Sequence, residues 1–586
     1  MTRRYTTRAQ LGARLTLMLL LTTVLAVGVA YGLPAQQQPG LGTGSAAPAS
    51  QADKALVNEW TQLGGNPQRT HAVSIDVPLP WNVKWIWNGP AGGGDGPPAA
   101  GHIRLPQAVQ PVIGNGRLYV GDNDGIVRAI STATGQQLWQ RDVEAAVVNT
   151  AAYDPGSDSL YVGTLGGRLW RLNASTGQTF TTPSVRPGGE IRMAPLLVGD
   201  TVYVGSTSGD LYAFDKLTLA QRWLYQAGAA LVGSTAYSAN HGGIIILLAE
   251  DRSVHAVRIS DGTRLWRVTV NADPDPLRNN RYFNDTYPVV SDINDVVIIR
   301  SYFDWDKTWL PAGGAPSSVN DIRTWLTQNP TYQSFFVLRL SNGSMPFVAP
   351  VMGGAIGNGG DYESVPPQAV VKRLATGEEV AYLLWRNRQS CDPSKPCDGR
   401  EDTTLGEMDL QTGNIRFVQS HKNAGSMRMP TDEQSPLTMA GNTIFNTHWM
   451  MLGAIRITDR SGGLGGSYSN PIRATELNPV INTLQSGTCP GRTNHRCPTG
   501  MQVPGEGTMD PGFYVYYHNQ RVYDLFWTTT VRGVTVSNGT IYFKTVDGAI
   551  IALATAGTIP DWKRTPTPFF VSLIRSDDRQ RIDEQY

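Results

Sequence analysis

Short runs of alternating apolar and polar residues, each closed by a glycine-bearing turn, dominate the chain from about residue 107 to 268. Leu118-Tyr119-Val120-Gly121 returns as Leu160-Tyr161-Val162-Gly163 and again as Val202-Tyr203-Val204-Gly205, a spacing of 42 residues. Behind each phrase comes a glycine and an alternating run: Gly125 to Ala129, Gly167 to Arg171, Gly209 to Ala213. Thr134-Gly135 then leads to Trp139, Thr176-Gly177 to Thr181, and Thr218-Leu219 to Trp223. The period-2 pattern predicts strands and the turns predict hairpins, four strands to a copy. One such sheet cannot bury both of its faces, so copies must stack around an axis. The predicted fold is an all-β propeller of four-stranded antiparallel blades.

A fourth copy runs through Ile244 to Ile246 and Ala256 to Gly262 and ends at Trp266. Looser copies follow. Val296 to Arg300 goes with Phe335 to Gly343, Val380 to Trp385 with Leu405 to Gly413, Thr443 to Asn446 with Gly453 to Asp459, and Thr540 to Lys544 with Gly548 to Leu553. The last copy has a poor outer strand, because Pro560 interrupts the approach to Trp562 and a central strand does not tolerate proline. Near the N-terminus, Asn82 to Trp87 is a Trp-bearing strand with no blade of its own. If it completes the eighth blade, the ring closes and a pair of exposed edges disappears. The expectation is eight blades, with Trp85 or Trp87 beside the 540–553 hairpin; seven blades is the alternative.

The phrase Ala129-x-Ser131-x-x-Thr134-Gly135-x-x-x-Trp139 resembles the tryptophan-docking repeat of the pyrroloquinoline-quinone-like (quinoprotein-type) propellers. The lead-in Trp60-x-x-x-Gly64-Gly65-Asn66-Pro67-x-Arg69-Thr70 is similar to the segment before the first blade in bacterial members. The likeness spans roughly residues 58–560. The Gly-His and Trp-Asp signatures of WD40 propellers do not recur. The resemblance implies that Trp85, Trp87, Trp139, Trp223 and Trp266 are docking residues packed against a neighbouring blade. In the family's quinone-dependent dehydrogenases, two adjacent cysteines form a disulfide ring over the quinone, accompanied by an acidic base, a calcium site with Asn and Glu, and a Trp floor. This chain has no Cys-Cys. It offers candidate bases in Asp285, Asp361, Glu363, Asp432 and Glu433, but no Ser-His-Asp spacing that specifies a nucleophile. Gly353 to Gly360 lacks the strand-turn-helix setting and following Lys of a phosphate loop. No cofactor is therefore expected, with quinone and calcium disfavoured, and no metal.

Residues 1–35 carry Arg3, Arg4, Arg8 and Arg14, the last just before an uncharged stretch of 19 residues, Leu15 to Leu33. This reads as a signal peptide or an N-terminal membrane anchor, since the length lies between the two. Either puts the remainder outside the cytoplasm, with the arginines inside. Residues 36–56 read as a flexible linker, 57–560 as the propeller, and 561–586 as a C-terminal tail. The cysteines form two local pairs, Cys391 with Cys397 and Cys489 with Cys497, inside insertions. Disulfides are favoured there, as an exported compartment permits; zinc is the rival, with His495 inside the second pair. Net charge is +1, and subtracting the four N-terminal arginines leaves −3 for the rest. That near-neutral balance gives no basic stripe for nucleic acid.

Three insertions decorate the ring: 302–333 with Trp305, Trp309, Trp325 and Tyr332, 388–403, and 460–530. Their aromatics suit a sugar or a protein partner, or simply pack the insertions onto the ring. The entry strands begin at the channel, and the residues three before Pro111, Pro195, Pro288 and Pro436 are Ala108, Arg192, Asp285 and Glu433. Thr150, Ser234 and Glu363 hold the corresponding slots elsewhere. Arg192, Asp285, Glu363 and Glu433, flanked by Trp305 and Trp309, thus form a candidate binding site at the channel mouth. Three functions follow from these features: a non-catalytic scaffold or binding protein of the cell envelope, a quinone-dependent dehydrogenase, or a glycan-binding module. The first is preferred, with envelope proteins or glycan as partners, and with membrane contact through residues 15–33 if they are not cleaved.

Overall fold

Alternating strands separated by tight turns assemble, in the computed structural model, into eight sheets of three or more strands, beside two two-stranded pairs among the described residues. The chain divides after Ala49 into two units, of which Ser50–Tyr586 carries the propeller. The structure describes residues 59–77, 82–87, 105–106, 108–270, 283–301, 303–304, 319–351, 355–356, 368–386, 403–420, 436–448, 451–457, 469–471, 502–503, 507–508, 513–514, 531–545 and 550–555. The two Cys pairs and the segment 1–35 lie outside them.

Blades one to four span 112–142, 152–185, 196–226 and 236–269, each four antiparallel strands in sequence order. Blade six spans 370–420. Blade seven is built on 438–457 and extended by Ser469–Pro471. Blade eight is 531–554, and the orphan strand Asn82–Trp87 completes it, with Trp85 opposite Ala552 and Trp87 opposite Ile550. Blade five shows three strands, Val289–Ser291, Val296–Arg300 and Phe335–Arg339. Where its outer strand would follow Gly343, Pro346 and Pro350 remove backbone donors and no strand pairing forms. The helix Val319–Gln328 within the 302–333 insertion seats Ile322 and Leu326, both fully buried, against Phe335 and Val337. Trp325 and Tyr332 stack edge-to-face at 4.8 Å and pack on the same cluster, so these two insertion aromatics secure the helix to the ring.

The docking residues use one recurring geometry. Trp85, Trp139, Trp223 and Trp266 donate their indole N–H to Thr132, Ala174, Ile259 and Leu340 carbonyls of the next blade, at 2.7–3.0 Å. Each accepting carbonyl precedes by three residues a turn glycine: Gly135, Gly177, Gly262 or Gly343. A Cβ on any of these would come within 2.6–2.7 Å of the indole, so only glycine leaves room for it. Ala129, Ala213 and Ala256 lie opposite Trp139, Trp223 and Trp266 across the strand pair, small where the ring is large.

At the position immediately after Val120, Val162 and Val204, and at its equivalents, the blades differ from one another. Gly121, Gly163 and Gly205 leave space for Val147, Ile191 and Leu231 of the connection to the next blade. Blades five and eight carry Arg300 and Lys544 at the same register position. Both are fully buried, and they reach the carbonyls of Leu384 and of Leu105 and Pro106. A long cation replaces apolar packing at those two junctions, its charge spread over carbonyl dipoles.

Candidate binding site at the channel mouth

The residues that govern the channel come from the lead-in. Trp60 to Val73 runs along the innermost strands and is hydrogen-bonded to seven blades in turn. The carbonyls of Trp60, Thr61, Pro67, Gln68, Thr70, His71 and Val73 accept from Ile113, Tyr153, Tyr237, Val290, Val371, Met439 and Gly441. The Gln62 side chain accepts from Leu197 in blade three at 3.2 Å. Ala72–Val73 even forms a short parallel strand with Thr438–Ala440. An inner strand left with a free edge would expose unpaired N–H groups; here one segment satisfies them blade after blade.

Arg69, with no exposed surface, ties this segment together. Its guanidinium donates to Thr235 O at 3.0 Å, Leu63 O at 2.7 Å, and Gln62 Oε1 and Pro195 O at 3.3 Å. Burial holds its pKa down, to about 9. His71 stacks on Tyr287 at 5.1 Å and meets Trp60 edge-on at 5.7 Å. Burial, helped by the Arg69 charge, drives its pKa to about 3, so the imidazole is neutral.

Five residues before each contact with the lead-in, blades one to five carry Ala108, Val148, Arg192, Val232 and Asp285. Arg192 and Asp285 therefore occupy equivalent positions in their blades. Thr150 and Ser234 do not share them; they lie two residues further in, level with Gln110, Ala194 and Tyr287. Thr150 Oγ1 donates to Ala108 O at 3.1 Å and accepts from Gln110 N at 2.9 Å. Ser234 Oγ accepts from Ala194 N at 2.9 Å. These hydroxyls couple neighbouring blades, a role that alignment on prolines alone does not reveal. Glu363, Glu433, Trp305 and Trp309 lie outside the described residues.

Arg192 is half-exposed and paired with Glu190 at 2.8 Å; its carbonyl accepts from Asn149 Nδ2 at 3.0 Å. Asp285 is half-buried, with φ at 57°. The rim between them is stiff. Val147, Ile191 and Leu231 of the connections bond back to Asp122, Thr164 and Ser206 carbonyls, while Leu165, Thr207 and Glu250 bond forward to Ala146, Glu190 and Ala230. Among the described residues no group of three or more His, Cys, Asp or Glu is placed to hold a metal.

The chain matches the family model described as outer membrane protein assembly factor BamB over residues 87–155 and 123–303. Among solved structures it is similar to BamB from Moraxella catarrhalis, at 14% identity over 78% of this chain and 98% of that one, with a TM-score of 0.45. It is also similar to quinohemoprotein alcohol dehydrogenase from Comamonas testosteroni, at 14% identity over 87% and 82%, with a TM-score of 0.48. No curated protein matches its sequence significantly. The matched stretch, residues 87–303, is the one in which the blades repeat most regularly.

Proposed function

We propose that this propeller is an extracytoplasmic, non-catalytic binding or scaffold protein of the cell envelope, engaging a protein or glycan at the channel mouth. The observation that carries the reading is the lead-in. Its peptide and side chains occupy the inner edges of seven blades, so the free surface of the channel is the rim rather than its wall. A rim pinned by backbone hydrogen bonds presents side chains without an entropy cost on binding. The adjacent-cysteine ring of the dehydrogenases is absent from the sequence. The arginine-flanked apolar stretch 15–33 supplies export, either as a cleaved signal or as an anchor.

The test loads the purified protein with pyrroloquinoline quinone and calcium and offers alcohols and sugars with an artificial dye. No dye reduction and no rise in melting temperature are expected; turnover of the dye would establish a dehydrogenase instead. In parallel, Arg192→Ala and Glu433→Ala should weaken capture of envelope proteins or glycan while leaving the melting temperature within about 1 °C, as surface changes do. Unchanged capture by both variants would remove the rim from the assignment.

A further inference from the structure

Blades three and four are joined by a polar chain that runs through a buried histidine. Tyr225, on the outer strand of blade three, lies with its hydroxyl 2.7 Å from Nδ1 of His255 on the third strand of blade four. His255 Nε2 lies 2.6 Å from Ser253 Oγ. Ser253 Oγ in turn donates to Asp251 Oδ1, and Asp251 Oδ2 accepts from Arg267 at 2.5 Å. Ser253 and His255 have no exposed surface and Tyr225 is 9% exposed, while the Asp251–Arg267 pair at the far end is half in solvent.

The direction of every proton in this chain follows from its ends. Asp251 is a carboxylate and can only accept, so the Ser253 hydroxyl must point at it. Ser253 then has lone pairs left for His255, so Nε2 carries the ring proton. Nδ1 is therefore the acceptor, and the Tyr225 hydroxyl donates to it. A neutral Nε2–H imidazole satisfies all three bonds with one polarity. A second proton would go on Nδ1, forcing the Tyr225 hydroxyl to turn from donor to acceptor and leaving an imidazolium with no exposed surface inside the junction, where a charge is costly to hold.

We propose that Tyr225, His255, Ser253 and Asp251 form an acid-sensitive latch that holds blade four against blade three and releases when His255 is protonated. The charged and titratable groups facing the ring are Tyr225 from blade three and Asp251, Arg264 and Arg267 from blade four. Burial, reinforced by Arg267, brings the His255 pKa to about 4 in the closed junction. An open junction would restore the ordinary value near 6.5. The closed form is thus fully favoured above about pH 6.5 and loses ground as pH falls toward 4, the open form taking up the proton first. At pH 4.5 the opening equilibrium should be on the order of tenfold to a hundredfold larger than at pH 7.5.

The latch does not depend on the binding assignment above, and its test reads the junction directly. Hydrogen exchange of the full-length protein, corrected for intrinsic rates, should show protection at 221–226 and 253–258 falling at least tenfold from pH 7.5 to 4.5, relative to blade one. His255→Gln keeps an acceptor for Tyr225 and a donor for Ser253 but cannot titrate, so it should retain protection at both pH values. Tyr225→Phe should show low protection at both. Nitrogen chemical shifts of the labelled histidines, assigned by loss of the signal in His255→Gln, should report an Nε2–H tautomer at pH 7.5. The proposal is overturned if the wild type and His255→Gln lose protection equally, or if the ring is found as the Nδ1–H tautomer.

Discussion

A single indole at the end of a blade makes two contacts at once: a hydrogen bond to the next blade's carbonyl, and a flat face laid on that blade's turn glycine. Blade two shows what happens when the indole is missing. Thr181 stands where Trp is expected, and the turn it would meet carries Leu219, with φ at 59°, in place of glycine. The vacated carbonyl, Lys216 O, is taken instead by the Tyr161 hydroxyl at 2.6 Å. Arg171, in the register position where blades one, three and four keep alanine, covers Phe180 at 3.8 Å and donates to Leu217 O. Trp and Gly are therefore lost together, because each exists to fit the other. Burial separates the four Trp sites: Trp85 and Trp266 are 2% and 8% exposed, whereas Trp139 and Trp223 are half-buried. Replacing Trp266 with Ala should cost about 3–5 kcal/mol in urea unfolding. Trp139→Ala should cost less, about 1–3 kcal/mol. Equal losses would mean that the hydrogen bond rather than burial dominates.

Among the elements, the strand Asn82–Trp87 has the greatest leverage. It pairs with Ile550–Ala554 across the seam and docks Trp85 on Gly135 of blade one, so a single short strand closes the ring twice over. A variant with Val83, Trp85 and Trp87 replaced by Ser, which keeps Trp60 to Val73 in place, should expose the 550–554 edge and the apolar faces beneath the two indoles. It should elute as aggregate rather than monomer in size-exclusion chromatography, and recovery of a cooperative monomer would show that the seam is dispensable. The paired cysteines belong to peripheral insertions. Non-reducing peptide mapping of exported protein should find Cys391–Cys397 and Cys489–Cys497, and reduction should loosen the insertions without melting the ring. Bound zinc or a crossed pairing would contradict this.

For the molecule as a whole, the lead-in is a belt drawn around the inside of the ring, and its chemistry predicts a pH response. His71 is neutral in the folded state, with a pKa near 3 set first by burial and then by Arg69. The unfolded chain takes up this proton near pH 6.5, so the folded state loses stability as pH falls from there toward 3, at about 1.4 kcal/mol per unit in the middle of the window. Denaturant midpoints should therefore drop between pH 7 and 4.5, and drop less in His71→Phe. Parallel curves for the two proteins would place the acid sensitivity elsewhere. Arg69→Met should be severe at every pH, because it leaves the Leu63, Pro195 and Thr235 carbonyls buried without their donor.

The strict 42-residue period, the Gly turns and the alternating strands were enough to read eight blades and the strand at 82–87, and to mark Trp85, Trp139, Trp223 and Trp266, though not to separate them from Trp87, which does not share their indole-to-carbonyl bond. These are local patterns repeated at a constant interval, and each copy must solve the same burial problem. The path of the lead-in was not readable, because Trp60 to Val73 meets seven different partners through backbone carbonyls and follows no period of its own. Alignment on prolines likewise gave Arg192 and Asp285 the same register, yet set Thr150 and Ser234 two residues out of it. Only strand pairing defines which residue stands level with which. The exchange of Trp and Gly for Tyr161, Arg171 and Leu219 at one junction, and the proton-ordered chain from Arg267 to Tyr225 at the next, were decided by tertiary structure alone. Both depend on side chains from neighbouring blades meeting at distances that spacing along the chain does not encode.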